Sequence, residues 1–122
     1  MILLDTSALL WLEGGHRRVR VLASGHQPLY MSPATLLELQ ILREAGRIRL
    51  RAGSVASLAH DDRWLLDEPP AGRWFDTALD LTWTRDPFDR LILAHAQLRG
   101  WRLATADKAV LAHLPEAGRL EL

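Results

Sequence analysis

An α/β fold of three layers, with a central parallel sheet covered on both faces, is implied by short apolar strands that alternate with helices along the chain. Two observations carry this expectation. Ile2-Leu3-Leu4, Leu29-Tyr30-Met31 and Trp101-Arg102-Leu103-Ala104 are too short for helices and read as buried strands. Each is followed by a helix-start signal: Asp5-Thr6-Ser7, Ser32-Pro33 and Thr105-Ala106-Asp107. The 122 residues suffice for one core, so residues 1–122 are read as a single domain.

In order, the strand at Ile2–Leu4 leads into a helix over Ala8–Leu12, which Gly14-Gly15 interrupts. A second helix over His16–Ala23 is expected to stop at Gly25. After Leu29–Met31, Ser32 can cap and Pro33 can open a helix running to about Ala45, where Gly46 supplies a favourable stop. Val55–His60 reads as helix, Trp64–Leu66 as strand, and Gly72–Leu79 as helix after the Pro69-Pro70 break. Asp86-Pro87 repeats the cap-plus-proline signal and opens a strong helix that ends at Gly100. The strand Trp101–Ala104, a short helix near Asp107 and a closing strand at Leu120–Leu122 complete the pattern.

Composition narrows the function classes. Hydrophobic residues at 48% and charged ones at 25% fit a globular domain. No apolar run approaches the roughly 20 residues that cross a bilayer, and the amino terminus lacks the pattern of a secretory signal, so a cytoplasmic location and no membrane association are expected. With no cysteine, a thiol nucleophile, a disulfide scaffold and a cysteine-ligated zinc site are all excluded. The 15 basic and 15 acidic side chains balance, so no general basic surface for nucleic acid exists, although a local patch remains open.

The informative residues are carboxylates. Asp5 and Asp107 each follow a buried strand, where ligands of open α/β sheets bind, yet each also suits a helix N-cap. Glu38 falls with Ala34, Leu37, Ile41, Leu42 and Ala45 on one stripe of its helix. A carboxylate there must be paired, protonated or bound to a cation. Asp86 is an evident cap for Pro87, while Asp89 borders the apolar face carrying Ile92, Leu93 and Ala96. Acids collected at one sheet edge repel one another and stay ionised around cations, and oxygen donors favour Mg²⁺ or Mn²⁺. Such ions bind phosphates and activate water.

Leu4-Asp5-Thr6-Ser7-Ala8-Leu9-Leu10-Trp11, Ser32-Pro33-Ala34-Thr35-Leu36-Leu37-Glu38-Leu39, Arg85-Asp86-Pro87-Phe88-Asp89-Arg90-Leu91-Ile92-Leu93-Ala94 and Leu103-Ala104-Thr105-Ala106-Asp107 occur in this order. Together they resemble PIN-domain proteins, above all the VapC-type ribonuclease toxins of bacterial toxin–antitoxin pairs. The resemblance spans essentially the whole chain, and Asp-Pro-Phe-Asp-Arg-Leu is its most specific segment. It implies a PIN-like α/β/α fold and a Mg²⁺- or Mn²⁺-dependent endoribonuclease. Asp5, Glu38, Asp89 and Asp107 then match the acidic quartet that holds metal and carries catalysis. Thr6 and Thr105 match supporting hydroxyls, and Asp86 an acid with a supporting role. In the implied mechanism Asp5 and Asp89 hold the main metal, Glu38 and Asp107 complete the site, and products carry 5′-phosphate and 3′-hydroxyl ends. Leu42 departs from the pattern, since relatives often have lysine four residues after the glutamate. Implied partners are RNA, a cognate antitoxin and a second copy in a homodimer.

Other features admit plainer readings. The five tryptophans can stack on bases, but core packing suits their positions, and Trp11 and Trp74 also suit a dimer surface. Arg47, Arg49 and Arg51 alternate, as a phosphate-tracking row or a solvated face would. His95, inside an apolar helix, has no second histidine at ligand spacing. A haloacid-dehalogenase-like phosphatase would need an acid where Ser7 stands, a receiver domain would need an acidic pair near the first strand, and no Gly-Lys-Ser/Thr loop supports a Walker-type nucleotide binder. The remaining rival to an enzyme is a PIN-like module that binds RNA or a partner without cutting.

Overall fold

Strands β1 (Ile2–Leu4), β2 (Leu29–Met31), β3 (Leu65–Leu66), β4 (Arg102–Thr105) and β5 (Arg119–Glu121) form one sheet in the order β3-β2-β1-β4-β5. Every pairing is parallel. The computed structural model describes all residues 1–122.

Side chains of β1 alternate between the two faces, as the pleat requires. Ile2 and Leu4, with Ala104 of β4, enter a core that includes Leu9, Leu12, Leu22, Leu39, Leu58 and Trp64. Leu3 and Leu103 enter a second core with Trp74, Ile92, Leu93 and Val110. Helices α1 (Thr6–Gly14), α2 (Arg20–Ala23) and α4 (Val55–Ala59) serve the first core, and α5 (Ala71–Leu79), α6 (Pro87–Arg99) and α7 (Lys108–His113) the second. Helix α3 (Pro33–Glu44) sends Leu39 to one and Ala34 to the other. The three-layer expectation therefore holds, and no helix is long and apolar enough to cross a membrane.

The expected caps do local work. Ser32 accepts from the Ala34 amide, and Pro33 follows at the first helical position. Gly100 closes α6 with φ +69°, a left-handed conformation that strains any side chain.

Several boundaries differ from the sequence reading. His16–Ala23 divides into a 3₁₀ turn at Arg17–Val19, which the His16 side chain caps by accepting from the Arg18 amide, and the four-residue α2. Trp64 precedes β3, buried with its indole N–H donating to the Leu58 carbonyl. Trp101 likewise precedes β4 and stacks on Tyr30. Trp74 is buried in the second core and donates to the Leu91 carbonyl, which removes it from a dimer surface. On α3 the buried positions are Ala34, Thr35 and Leu39, whereas Leu37 and Ile41 are 57% and 46% exposed. Neighbouring helices, including α6 and α4, set which side of α3 turns inward, so its apolar stripe is not its core face.

His95 is a core residue. Its Nε2 lies 2.7 Å from Asp67, which also takes Arg99 at 2.9 Å, tying α6 to the end of β3. Burial lowers its pKa, with the Asp67 bond opposing the shift.

Leu9 is fully buried between α1 and the sheet. Leu9→Ala is expected to lower unfolding free energy by about 2–5 kcal/mol, read as a reduced urea midpoint at unchanged slope.

Candidate functional site

From β1 the chain winds outward through β2 and β3, then returns to β1's other side for β4 and β5. The winding reverses between β1 and β4, and a crevice opens beyond the carboxyl ends of two such strands. Asp5 follows β1 directly, its amide donating to the Ala104 carbonyl of β4 at 3.2 Å. Asp107 lies just past β4. Glu38 enters from the second turn of α3 and Asp89 from the first turn of α6. All four line one cavity of about 550 Å³, together with Thr6, Ser7, Trp11, Leu42, Arg47, Asp86 and Thr105. The four acids proposed from sequence are thus brought together, as are the supporting residues Thr6, Thr105 and Asp86.

Capping and site-building coincide here. Asp5 Oδ1 accepts from the Ala8 amide at 2.7 Å and starts α1. Asp107 Oδ1 accepts from Ala109 and Val110 at 2.9 and 3.2 Å and starts α7. Asp86 Oδ1 takes the amides of Phe88 and Asp89 at 2.9 and 3.1 Å and starts α6. Each bond pins a carboxylate at a helix N-terminus, whose dipole favours negative charge. The Thr105 hydroxyl accepts from the Asp107 amide at 3.1 Å, and the Thr6 hydroxyl donates to Glu38. Thr6 therefore holds Glu38 rather than the neighbouring Asp5 that the resemblance implied, while the Thr105 hydroxyl bonds both Asp5 and the Asp107 amide.

The acids strain against one another. Burial raises the Asp5 pKa and nearby Asp107 adds to the rise, while the Thr105 hydroxyl and Ala8 amide pull it down. Burial also raises Glu38, opposed by the Thr6 hydroxyl and reinforced by Asp86 and Asp5. Asp89 is pushed up to about 6, first by burial and then by Asp86, Glu38, Asp107 and Asp5. No hydrogen bond offsets the rise at Asp89. That is a field in which added positive charge is favoured.

Oxygen donors of this kind fit Mg²⁺ or Mn²⁺ by chemistry. No three acidic or histidine side chains form a ready-made cage for an ion. Mg²⁺ does not require one, since it usually keeps several waters and takes only one or two carboxylates directly.

Besides aliphatic lining residues, sequence reasoning left Ser7, Trp11 and Arg47 outside the site. Ser7 was legible from its place in Asp-Thr-Ser, and Trp11 from lying one turn further along the same helix. Arg47 lies in an irregular stretch whose course no periodicity reveals. The other tryptophans serve packing; Trp83 stacks on His113, with ring centroids 4.0 Å apart.

An acid-lined cleft over the winding reversal of a parallel sheet defines the class: an α/β/α domain with its candidate site at the carboxyl ends of its central strands. The PIN domain family model matches residues 2–117, and the chain belongs to that family. In fold it is similar to a chain of a solved structure titled "Toxin-antitoxin complex from Klebsiella pneumoniae", with TM-score 0.72, 19% identity and full coverage of both chains. Comparison with curated protein sequences gives no match.

Asp89 has a folded pKa above its ordinary value, so it favours folding while protonated. That contribution is complete below about pH 4 and is lost as pH rises through about 6. Asp89→Asn is therefore expected to stabilise the metal-free protein at neutral pH by on the order of 1–2 kcal/mol, after discounting for a half-open site. Thermal unfolding checks this, and Mn²⁺ should raise Tm more in the unsubstituted protein than in the variant.

Proposed function

We propose that this chain is a metal-dependent endoribonuclease, hydrolysing RNA phosphodiester bonds, and that it serves as the toxin of a VapC-type toxin–antitoxin pair. PIN domains are generally nucleases. The observation that carries the reading is the convergence of Asp5, Glu38, Asp89 and Asp107, from four separate segments, on one cleft at the sheet's winding reversal.

Asp5 and Asp89 are the principal holders of Mg²⁺ or Mn²⁺, with Glu38 and Asp107 completing the site directly or through water. A divalent ion bound there supplies Lewis acidity toward a phosphoryl oxygen and lowers the pKa of water. The residues supply position. Thr6 holds Glu38, and the caps at α1 and α7 fix Asp5 and Asp107, so the carboxylates need little reorganisation when substrate arrives. In the overall reaction a water oxygen bonds to phosphorus while the bond to the 3′-oxygen breaks. The products carry a 5′-phosphate and a 3′-hydroxyl, and no 2′-hydroxyl nucleophile is needed. Selectivity for RNA then rests on shape, 2′-hydroxyl contacts and stacking around the metal site.

The toxin role draws support from the fold shared with the Klebsiella pneumoniae structure. Its partners are a cognate antitoxin, placing a basic segment by the acidic cleft, and a second copy of the chain. Exposed Leu37 and Ile41 on α3 and Phe75 and Leu79 on α5 offer apolar surface for such contacts. The role places the protein in the cytoplasm.

Incubation with RNA and Mn²⁺ is expected to yield fragments with 5′-phosphate ends. A chelator should abolish cleavage, and Asp5→Asn should slow it by at least about 100-fold. Binding without scission would instead identify a non-cleaving module. Expression of the chain alone should arrest growth; without arrest the toxin role fails while the nuclease can stand.

A further inference from the structure

Among the residues lining the acidic cleft, Arg47 is the single cation. Its placement follows from local chemistry. Helix α3 ends with Gly46 at φ +71°, and the Arg47 amide turns back to donate to the Leu42 carbonyl at 2.9 Å. The Gly46 amide donates to the Arg43 carbonyl at 3.0 Å, completing a Schellman closure. Beyond it, Ile48 and Leu50 pack partly buried against the first core, and the arginines that alternate with them, Arg47, Arg49 and Arg51, are exposed. Arg47 reaches the cleft, whereas Arg49 and Arg51 are exposed and lie outside its lining.

Arg47 does not serve to neutralise the acids. None of the chain's three ion pairs includes it, although five carboxylates line the same cavity. An exposed, unpaired guanidinium beside a site for cations suits a second anion that arrives with the substrate. Its planar donors match phosphate oxygens two at a time.

We infer that Arg47 is a substrate-binding residue, gripping a phosphodiester of the RNA next to the one over the carboxylates. This rests on the nuclease reading for the identity of the substrate, and its test separates the two.

Binding of a short labelled single-stranded RNA is measured by anisotropy on an Asp89→Asn background, in Mn²⁺, over a range of salt. Adding Arg47→Gln is expected to weaken binding roughly three- to tenfold and reduce the log–log salt slope by about 0.7, one phosphate contact. Arg47→Lys, which keeps the charge, should retain the slope. Arg49→Gln, outside the cleft, should leave affinity within about twofold. In the cleaving protein, Arg47→Gln should raise KM with kcat little changed. Unaltered affinity and slope in Arg47→Gln, or an equal loss in Arg49→Gln, would overturn the assignment. Arg47-dependent binding of an RNA that the unsubstituted protein never cuts would sustain this contact and sink the hydrolysis instead.

Discussion

The repulsion among carboxylates held at the end of β1 and β4 is the constraint on which the site depends. Left to themselves, Asp5, Glu38 and Asp89 would move apart or take up protons; burial, and after it the neighbouring carboxylates, raises the pKa of all three. They stay together because each sits on a rigid element packed to the same sheet. The fold thus holds a negative field in place before any ligand arrives, which is the preorganisation that electrostatic catalysis needs.

Helix capping is how this is achieved without extra scaffolding. In Asp86 and Asp107 the cap bonds all go to Oδ1, and Asp5 likewise gives Oδ1 to α1. The same side chains that order these helix starts also line the cleft. Structural and functional accounts of these aspartates are therefore one account. The N-terminal dipoles of α1 and α7 also stabilise the charge that the neighbouring acids oppose. Asp89 and Glu38 have no such cap, and Asp89 shows the largest consequence, standing near 6.

The local reading was strongest where short-range chemistry decides structure. Ser32-Pro33 and Asp86-Pro87 fixed the starts of α3 and α6, and Gly100 the end of α6, because caps and proline act within one turn. It was weakest on α3. Leu37 and Ile41 form an apolar stripe with Glu38, yet the helix turns Thr35 and Leu39 inward. Periodicity reports that an apolar side exists; only the packed neighbours say which side is covered. Glu38 is half-buried for a different reason from the one the stripe suggested: it stands at the cleft and bonds Thr6.

By itself the sequence determined the alternation of strands and helices, the caps, and the residue types able to hold a divalent ion, since these follow from spacing and side-chain chemistry. The tertiary structure decided which of those residues meet. Placing β4 against β1 brought Asp107 to Asp5 across 102 positions of chain (107 − 5), and the paths of α3 and α6 added Glu38 and Asp89. It also put Arg47 at the cleft through a left-handed glycine and two partly buried aliphatic neighbours. Strand order and chain reversal are set by non-local packing between the two cores, and no window along the chain contains that information.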